Sequence, residues 1–276
     1  MVCVRVHGSS CDIMANKKLY FSQRQDKLLN SSRRCFMGKI AKIRGAIKQL
    51  IADKEDTKQV FIILEALSGN SGLRAFKRFK KTANAQDILN AEKPLVEYLK
   101  DREWLESLPE GSLGRAYARF TEAEQITADG LTEASVEGRQ EEREMSAAQI
   151  KYHERQRDAH DLWHVSTGYG RDGLGELCLL AVTWRQLGNP GILVIILFGY
   201  LVSRKEAPGL GIGRAIIEGF RLGRLAKGLP GAHWEHLLTQ PLEDVRTTLG
   251  IQTPRRYRKI VDATPDLQTA GYVAAE

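Results

Sequence analysis

Three glycines fall within seven residues in Thr167-Gly168-Tyr169-Gly170-Arg171-Asp172-Gly173, between two stretches that otherwise read as helix. Each glycine inside a helix costs about 1 kcal/mol relative to alanine, so the helix does not continue through this run. The chain reverses instead. The pattern predicts a helical hairpin, with one helix ending near Ser166 and the next running from about Leu174 to Leu187.

The two arms carry the chain's most reactive residues. Before the break stands His160-Asp161-Leu162-Trp163-His164, and after it Glu176, in a chain with six histidines. On a helix, residues four apart stack on one face, so His160 and His164 are neighbours and Asp161 borders them. In one continuous helix Glu176 would lie about 18 Å beyond His164. Folded back, it faces the imidazoles. Neutral imidazole nitrogen and carboxylate oxygen are ordinary ligands of a divalent cation, and such a set leaves a position open, as catalytic ions require. Two histidines four apart usually just pack or decorate a surface. Asp161 and a glutamate delivered by a glycine turn move the reading to a metal site. A His-Glu-x-x-His protease is not supported, because Asp replaces the Glu base and no further histidine follows.

Other candidates are weaker. His153 lies about 10 Å along the axis from His160 and reads as surface. His233 and His236 flank Trp234-Glu235 and read as an exposed aromatic corner rather than a metal pair. Gly209-Leu210-Gly211-Ile212-Gly213 lacks a preceding strand, so the dinucleotide fingerprint fails. Arg214, Glu218 and Arg221 are spaced for ion pairs on one face, and with Arg224 and Lys227 they leave a basic helix.

Helical spacing recurs along the chain: Ile40 to Ile51, Val60 to Leu67 behind a cap at Asp56-Thr57, Phe76 to Phe79, Ile88 to Leu99, Gly114 to Phe120, a long polar helix from about Ser135 to Ser166, the apolar run Ile192 to Val202, Gly213 to Lys227, and a last helix with Leu242, Val245 and Leu249 on one face. No strand-like alternation of any length occurs. The expected fold is all-α: a single multi-helix domain over 38–257 whose hairpin carries the metal site. Residues 1–36, with seven basic and two acidic side chains, read as a disordered basic extension, either transit-peptide-like or preceding a natural start at Met37. Residues 258–276 read as a flexible tail.

Four scattered cysteines do not form a metal or disulfide pattern. A net charge of +7 favours anionic partners. Sparse aromatic interleaving argues against nucleic acid. The apolar run at 192–202 is shorter than the roughly 20 residues a bilayer span needs, and is expected to be fully buried or to line a pocket for a greasy ligand.

His-Asp-x-x-His, eleven residues, then Glu resembles the signature of the ubiquinone (coenzyme Q) biosynthesis protein 4 family. Gly111-Ser112-Leu113-Gly114-Arg115-Ala116-Tyr117, Asn189-Pro190-Gly191, Leu229-Pro230-Gly231 with Trp234-Glu235, and Pro241-Leu242-Glu243 through Leu249-Gly250-Ile251 resemble further family blocks in the same order. The resemblance implies an all-α fold and a divalent ion held by His160, Asp161, His164 and Glu176. Zinc is the usual assignment, with iron, manganese or cobalt also compatible. It implies a metal-dependent decarboxylase (lyase) that removes the ring C1 carboxylate of a polyprenylated hydroxybenzoate and installs a hydroxyl, with these four residues as the catalytic set. The alternative is a non-catalytic, prenyl-lipid-binding scaffold for the other coenzyme Q biosynthesis proteins. The implied partners are the polyprenylated quinone precursor, an anionic membrane surface, those biosynthetic proteins and a second copy as a homodimer. The implied place is peripheral: the cytoplasmic face in a bacterium, or the matrix side of the mitochondrial inner membrane in a eukaryote.

Overall fold

The computed structural model describes residues 37–38, 40–49, 57–126 and 145–264. Two units divide the chain, 1–45 and 46–276. In the first, 37–38 and 40–45 are helical, and the expectation for 1–36 lies outside the described residues. All that follows concerns the second.

Fourteen helices are described there: α1 (Thr57–Ser68), α2 (Ser71–Phe79), α3 (Ala85–Asn90), α4 (Leu95–Leu99), α5 (Arg102–Ser107), α6 (Leu113–Ala123), α7 (Ala147–Asp158), α8 (His160–Thr167), α9 (Gly173–Leu187), α10 (Pro190–Glu206), α11 (Ile212–Leu225), α12 (Trp234–Leu237), α13 (Leu242–Leu249) and α14 (Arg255–Ala263), with a 3-10 turn at Leu229–Gly231. Among the described residues the β pairing is an isolated bridge between Ser112 and Pro241. The all-α expectation holds.

α9 lies at the centre. Leu177, Cys178, Leu179, Ala181 and Val182 are all buried, so the helix is covered on nearly every side. Burying each large aliphatic side chain contributes about 1.5–3 kcal/mol. Its most extensive partner is α11. The two backbones come close because α11 presents Ala215, Gly219 and Gly223 on one face. A Cβ at Gly219 would stand 2.6 Å from the Cys178 carbonyl oxygen. A smaller cluster forms where Phe76 and Phe79 of α2 meet Tyr152 of α7, the Phe79 and Tyr152 rings 4.8 Å apart.

Several expectations are corrected. The polar helix expected from about Ser135 to Ser166 is divided at Ala159, and its stretch over 135–144 lies outside the described residues. Hydrogen bonds from Ala159 N to Arg155 O (2.9 Å) and Trp163 N to Ala159 O (3.1 Å) run through the division, so it is a kink. It falls where α7, packed on α2, α3 and α4, gives way to α8, packed on α6 and α13. The piece expected over Ile88 to Leu99 is two helices, because Pro94 begins α4 in an extended conformation. The chain remains helical to Ala263, with Tyr257 and Ile260 buried at i, i+3 spacing, where a flexible tail was expected from 258; residues 265–276 lie outside the described residues. The apolar helix α10 is not buried all round. Ile192, Ile195 and Ile196 face inward toward α1 and α9, while Leu193, Leu197 and Leu201 are exposed at i, i+4, i+8. No helix among the described residues is long and apolar enough to cross a membrane.

Candidate metal centre

His160 and Asp161 open α8, immediately after the kink, and His164 stands one turn further on. The two imidazole rings are 4.8 Å apart, centroid to centroid, at 71°. Asp161 Oδ1 lies 3.4 Å from His160 Nδ1. One potential ligand atom from each of His160, Asp161 and His164 falls within 4.8 Å of the others, and among the described residues this is the single group of three or more such side chains that could hold a metal ion. Asp161 and His164 are buried, while His160 keeps 28% of its side chain exposed, so the cluster has a dry floor and an open side.

His164 is oriented from behind. Its Nδ1 lies 3.1 Å from the Tyr169 carbonyl oxygen, which can only accept, so Nδ1 carries the proton. In the neutral ring Nε2 is then a lone pair. A backbone carbonyl behind one nitrogen is the usual way to aim the other at an ion. Phe120 stacks along the ring, centroids 5.8 Å apart and 22° from parallel.

Nε2 is fully buried and has no hydrogen-bond partner. Facing it at 3.3 Å is Glu176 Oε1. Two acceptors this close need a cation between them, either a proton or a metal ion. The protonation of the pair shows the same pressure. Burial alone would lower the His164 pKa, but the Glu176 charge, aided by Asp161 and the Tyr169 carbonyl, outweighs it and raises it above the usual histidine value. Burial alone would raise Glu176, yet His164, with His160 and Arg171 adding to it, draws its carboxyl below the usual range. The chemistry of His160, Asp161 and His164 fits a divalent ion, and Glu176 stands 3.3 Å from His164 Nε2 at the edge of that group.

The loop between α8 and α9 sets the Glu176 position. Gly168 ends α8 in the left-handed region, its N–H donating to His164 O at 2.8 Å. Asp172 caps α9, its Oδ1 accepting from Leu174 N (3.1 Å) and Gly175 N (3.0 Å). Tyr257, from α14, spans the loop: its hydroxyl donates to Asp172 Oδ2 and accepts from Gly170 N at 2.9 Å. Gly175 has no room for a side chain, since a Cβ there would overlap the Gly170 carbonyl. Glu176 follows in the first turn, on the side facing α8. Arg246 of α13 ties down the end of α8, donating to Ser166 O (2.9 Å) and Val165 O (3.3 Å).

Tyr257, Arg246 and the Tyr169 carbonyl escaped the reading of the sequence. A backbone carbonyl has no sequence signal. Tyr257 had one, its i, i+3 spacing to Ile260 in a basic stretch.

The remaining candidates stand apart from this cluster. His153 packs edge-on to Tyr152, centroids 5.3 Å apart. His233 and His236 meet edge to face, centroids 4.2 Å apart at 62°, and of the corner expected to be exposed His236 is, while its centre is not. Trp234 is buried, and Glu235 forms a two-pronged ion pair with Arg155 whose side chains are 11% and 7% exposed. His233 Nδ1 lies 3.2 Å from the same carboxylate. Glu218 accepts from Arg256 N at 2.7 Å rather than pairing with arginines of its own helix.

A family model described as coenzyme Q (ubiquinone) biosynthesis protein Coq4 matches residues 39–255. The chain belongs to this family. The mitochondrial ubiquinone biosynthesis protein COQ4 homologue of Rattus norvegicus is 29% identical over 181 residues, 65% of this chain and 65% of its own length. The mitochondrial COQ4 protein of Yarrowia lipolytica is 27% identical over 185 residues, 65% of this chain and 66% of its own. The chain thus spans just under two thirds of these relatives. A solved structure of a putative ubiquinone biosynthesis protein from Nostoc punctiforme shares the fold with a TM-score of 0.57 at 21% identity, covering 78% of this chain and 97% of that one.

Proposed function

We propose that this protein acts in coenzyme Q biosynthesis as a metal-dependent oxidative decarboxylase of a polyprenylated hydroxybenzoate. Its ion, zinc or another divalent metal, is held by His160, Asp161, His164 and Glu176. The observation that carries the reading is the His160, Asp161 and His164 cluster, with the Glu176 carboxylate 3.3 Å from the buried His164 Nε2. Family membership and the relatives' printed names support the pathway.

A divalent ion in this set supplies a Lewis acid with open positions for a substrate oxygen. In the reaction the bond between ring C1 and the carboxylate carbon breaks and carbon dioxide leaves. C1 takes up one oxygen atom of dioxygen and ends as a phenol, while an external two-electron reductant and two protons carry the other atom to water. The protein's own groups orient and handle protons. Tyr169 O holds His164 in one tautomer and the buried side of the cluster excludes water; the proton carrier from this set would be Asp161 or Glu176, whichever does not bind the ion.

A second reading, a lipid-binding scaffold for the other coenzyme Q biosynthesis proteins, is favoured by the exposed Leu193, Leu197 and Leu201 of α10 with Ile217 and Leu225 of α11. Such a surface on a basic protein also supports a peripheral seat on an anionic membrane, facing the matrix in a mitochondrion or the cytoplasm in a bacterium, and contact with a second copy. Product formation by purified protein separates the two readings. Supplied with dioxygen and a two-electron reductant, a decarboxylase yields phenol from the prenylated acid, loses that yield on chelation and regains it when metal is restored. A scaffold yields none in any state.

A further inference from the structure

Two ionised carboxylates, Asp161 and Glu176, balance the charge of a divalent ion. A site so neutralised gives an anionic substrate little long-range attraction. Recognition of an acid then calls for a cation placed beside the ion.

Arg171 is in that position. It lies on the loop joining α8 and α9, five residues before Glu176, and both its neighbours are fixed. Gly170 N donates to the Tyr257 hydroxyl at 2.9 Å, and Asp172 caps α9 while accepting from the same hydroxyl. The Arg171 backbone is therefore held at the edge of the centre. The residue is only partly exposed, yet among the described residues its side chain makes no hydrogen bond and no ion pair, and its charge bears on Glu176. Two other arginines near the hairpin are engaged: Arg246 by Ser166 and Val165 carbonyls, Arg157 by Asp158 at 3.0 Å. The donors of a partly buried arginine are normally used. Its planar fork matches a carboxylate in two parallel hydrogen bonds.

We propose that Arg171 binds the carboxylate of the aromatic acid substrate and holds that end of the molecule at the metal centre. This deepens the decarboxylase reading and rests on it. It also accounts for turnover in one direction: the product has lost the carboxylate and with it the grip of Arg171, so the acid is held more tightly than the phenol that replaces it.

The test uses the full chain loaded with a divalent ion, and calorimetric binding of a farnesylated para-hydroxybenzoate and its methyl ester. The wild-type protein is expected to prefer the acid by on the order of tenfold to a hundredfold, the worth of hydrogen bonds to a charged group. Arg171→Gln should bind the acid no better than the ester and leave ester affinity unchanged. Because the side chain has no partners, thermal stability should not fall. Because it is a cation near a cation site, metal affinity should not weaken. In turnover the loss should appear in KM for the acid. Should the Gln variant fail to fold, Arg171→Lys answers the same question by keeping the charge without the fork, and is expected to retain only part of the acid preference. Wild-type preference for the acid that persists undiminished in the variant overturns the role of Arg171 and leaves the decarboxylase reading standing. Wild-type protein that binds neither compound, or both alike, overturns both.

Discussion

The Glu176 carboxylate lies 3.3 Å from His164 Nε2, although twelve residues separate them along the chain. In an unbroken helix the gap would be about 18 Å. The difference is produced by the left-handed stop at Gly168, the Asp172 cap and the Tyr257 hydroxyl that links Asp172 to Gly170.

Tyr257 therefore acts on the metal centre from outside it. Tyr257→Phe removes one hydroxyl and both of its loop contacts. Groups that orient metal ligands are worth roughly 10–100-fold in affinity, and a tenfold weakening of metal binding is expected here. The lost hydrogen bonds should cost about 1–3 kcal/mol of stability. Metal titration and thermal unfolding of the same sample check both. Unchanged metal affinity with lowered stability would reduce Tyr257 to a packing residue.

Metal binding should strengthen as pH rises. His164 must be neutral to bind an ion, and its pKa is raised above 6.5 because the nearby carboxylates outweigh its burial. The ion displaces that proton, so calorimetry in buffers of different ionisation enthalpy should register proton release. In the metal-free protein the sign reverses. The imidazolium–carboxylate pair stabilises the fold fully below the unfolded histidine value of 6.5 and is lost as pH climbs through the raised folded value. Apo protein should thus lose stability over the range in which metal affinity improves.

Arg155 and Glu235, eighty residues apart in sequence, form a pair with side chains 7% and 11% exposed. Removing one partner leaves the other charge buried, which costs about 3–5 kcal/mol. Glu235→Gln should lower the unfolding midpoint without altering metal stoichiometry. Against burial, Arg155 holds the Glu235 pKa below 4.5, so its contribution is present above 4.5 and disappears as pH falls through the depressed value.

Much of this molecule was legible in the sequence, and the gaps have physical causes. The glycine run stops α8 because Gly168 supplies a positive φ and Gly175 a surface without a side chain, and both properties follow from residue type. Pro190 could be read as the start of α10 for the same reason, its missing N–H being harmless in the first turn. The burial of α10 could not be read. Eleven apolar residues look alike in sequence, and only the positions of α1 and α9 determine that Leu197 faces solvent while Ile196 does not. The hidden ion pair at Glu235 was invisible for a similar cause, since its partner Arg155 lies eighty residues away on another helix.

The exposed stripe on α10 gives a separate prediction. Leu197→Glu removes an apolar contact that the folded protein does not use, so stability should change by no more than about 0.5 kcal/mol. Binding to vesicles containing anionic lipid should fall, through lost apolar burial and added repulsion. Sedimentation with such vesicles measures it, and undiminished binding would place the membrane contact elsewhere.

The α9–α11 contact should tolerate little added volume. Gly219→Val places methyl groups against the Cys178 carbonyl, and overpacking of this kind costs about 1–3 kcal/mol. Denaturant unfolding should show the loss, with metal stoichiometry preserved in the folded fraction.

The most direct measurement is metal stoichiometry and affinity by calorimetric titration of apo protein, wild type beside His164→Ala and Glu176→Gln, each first shown to be folded by circular dichroism. The expected result is one divalent ion per wild-type chain and at least a hundredfold weaker binding in each variant, about 2.7 kcal/mol. Wild-type affinity retained in folded Glu176→Gln would contradict the proposal that the hairpin brings this glutamate to His164 to hold an ion.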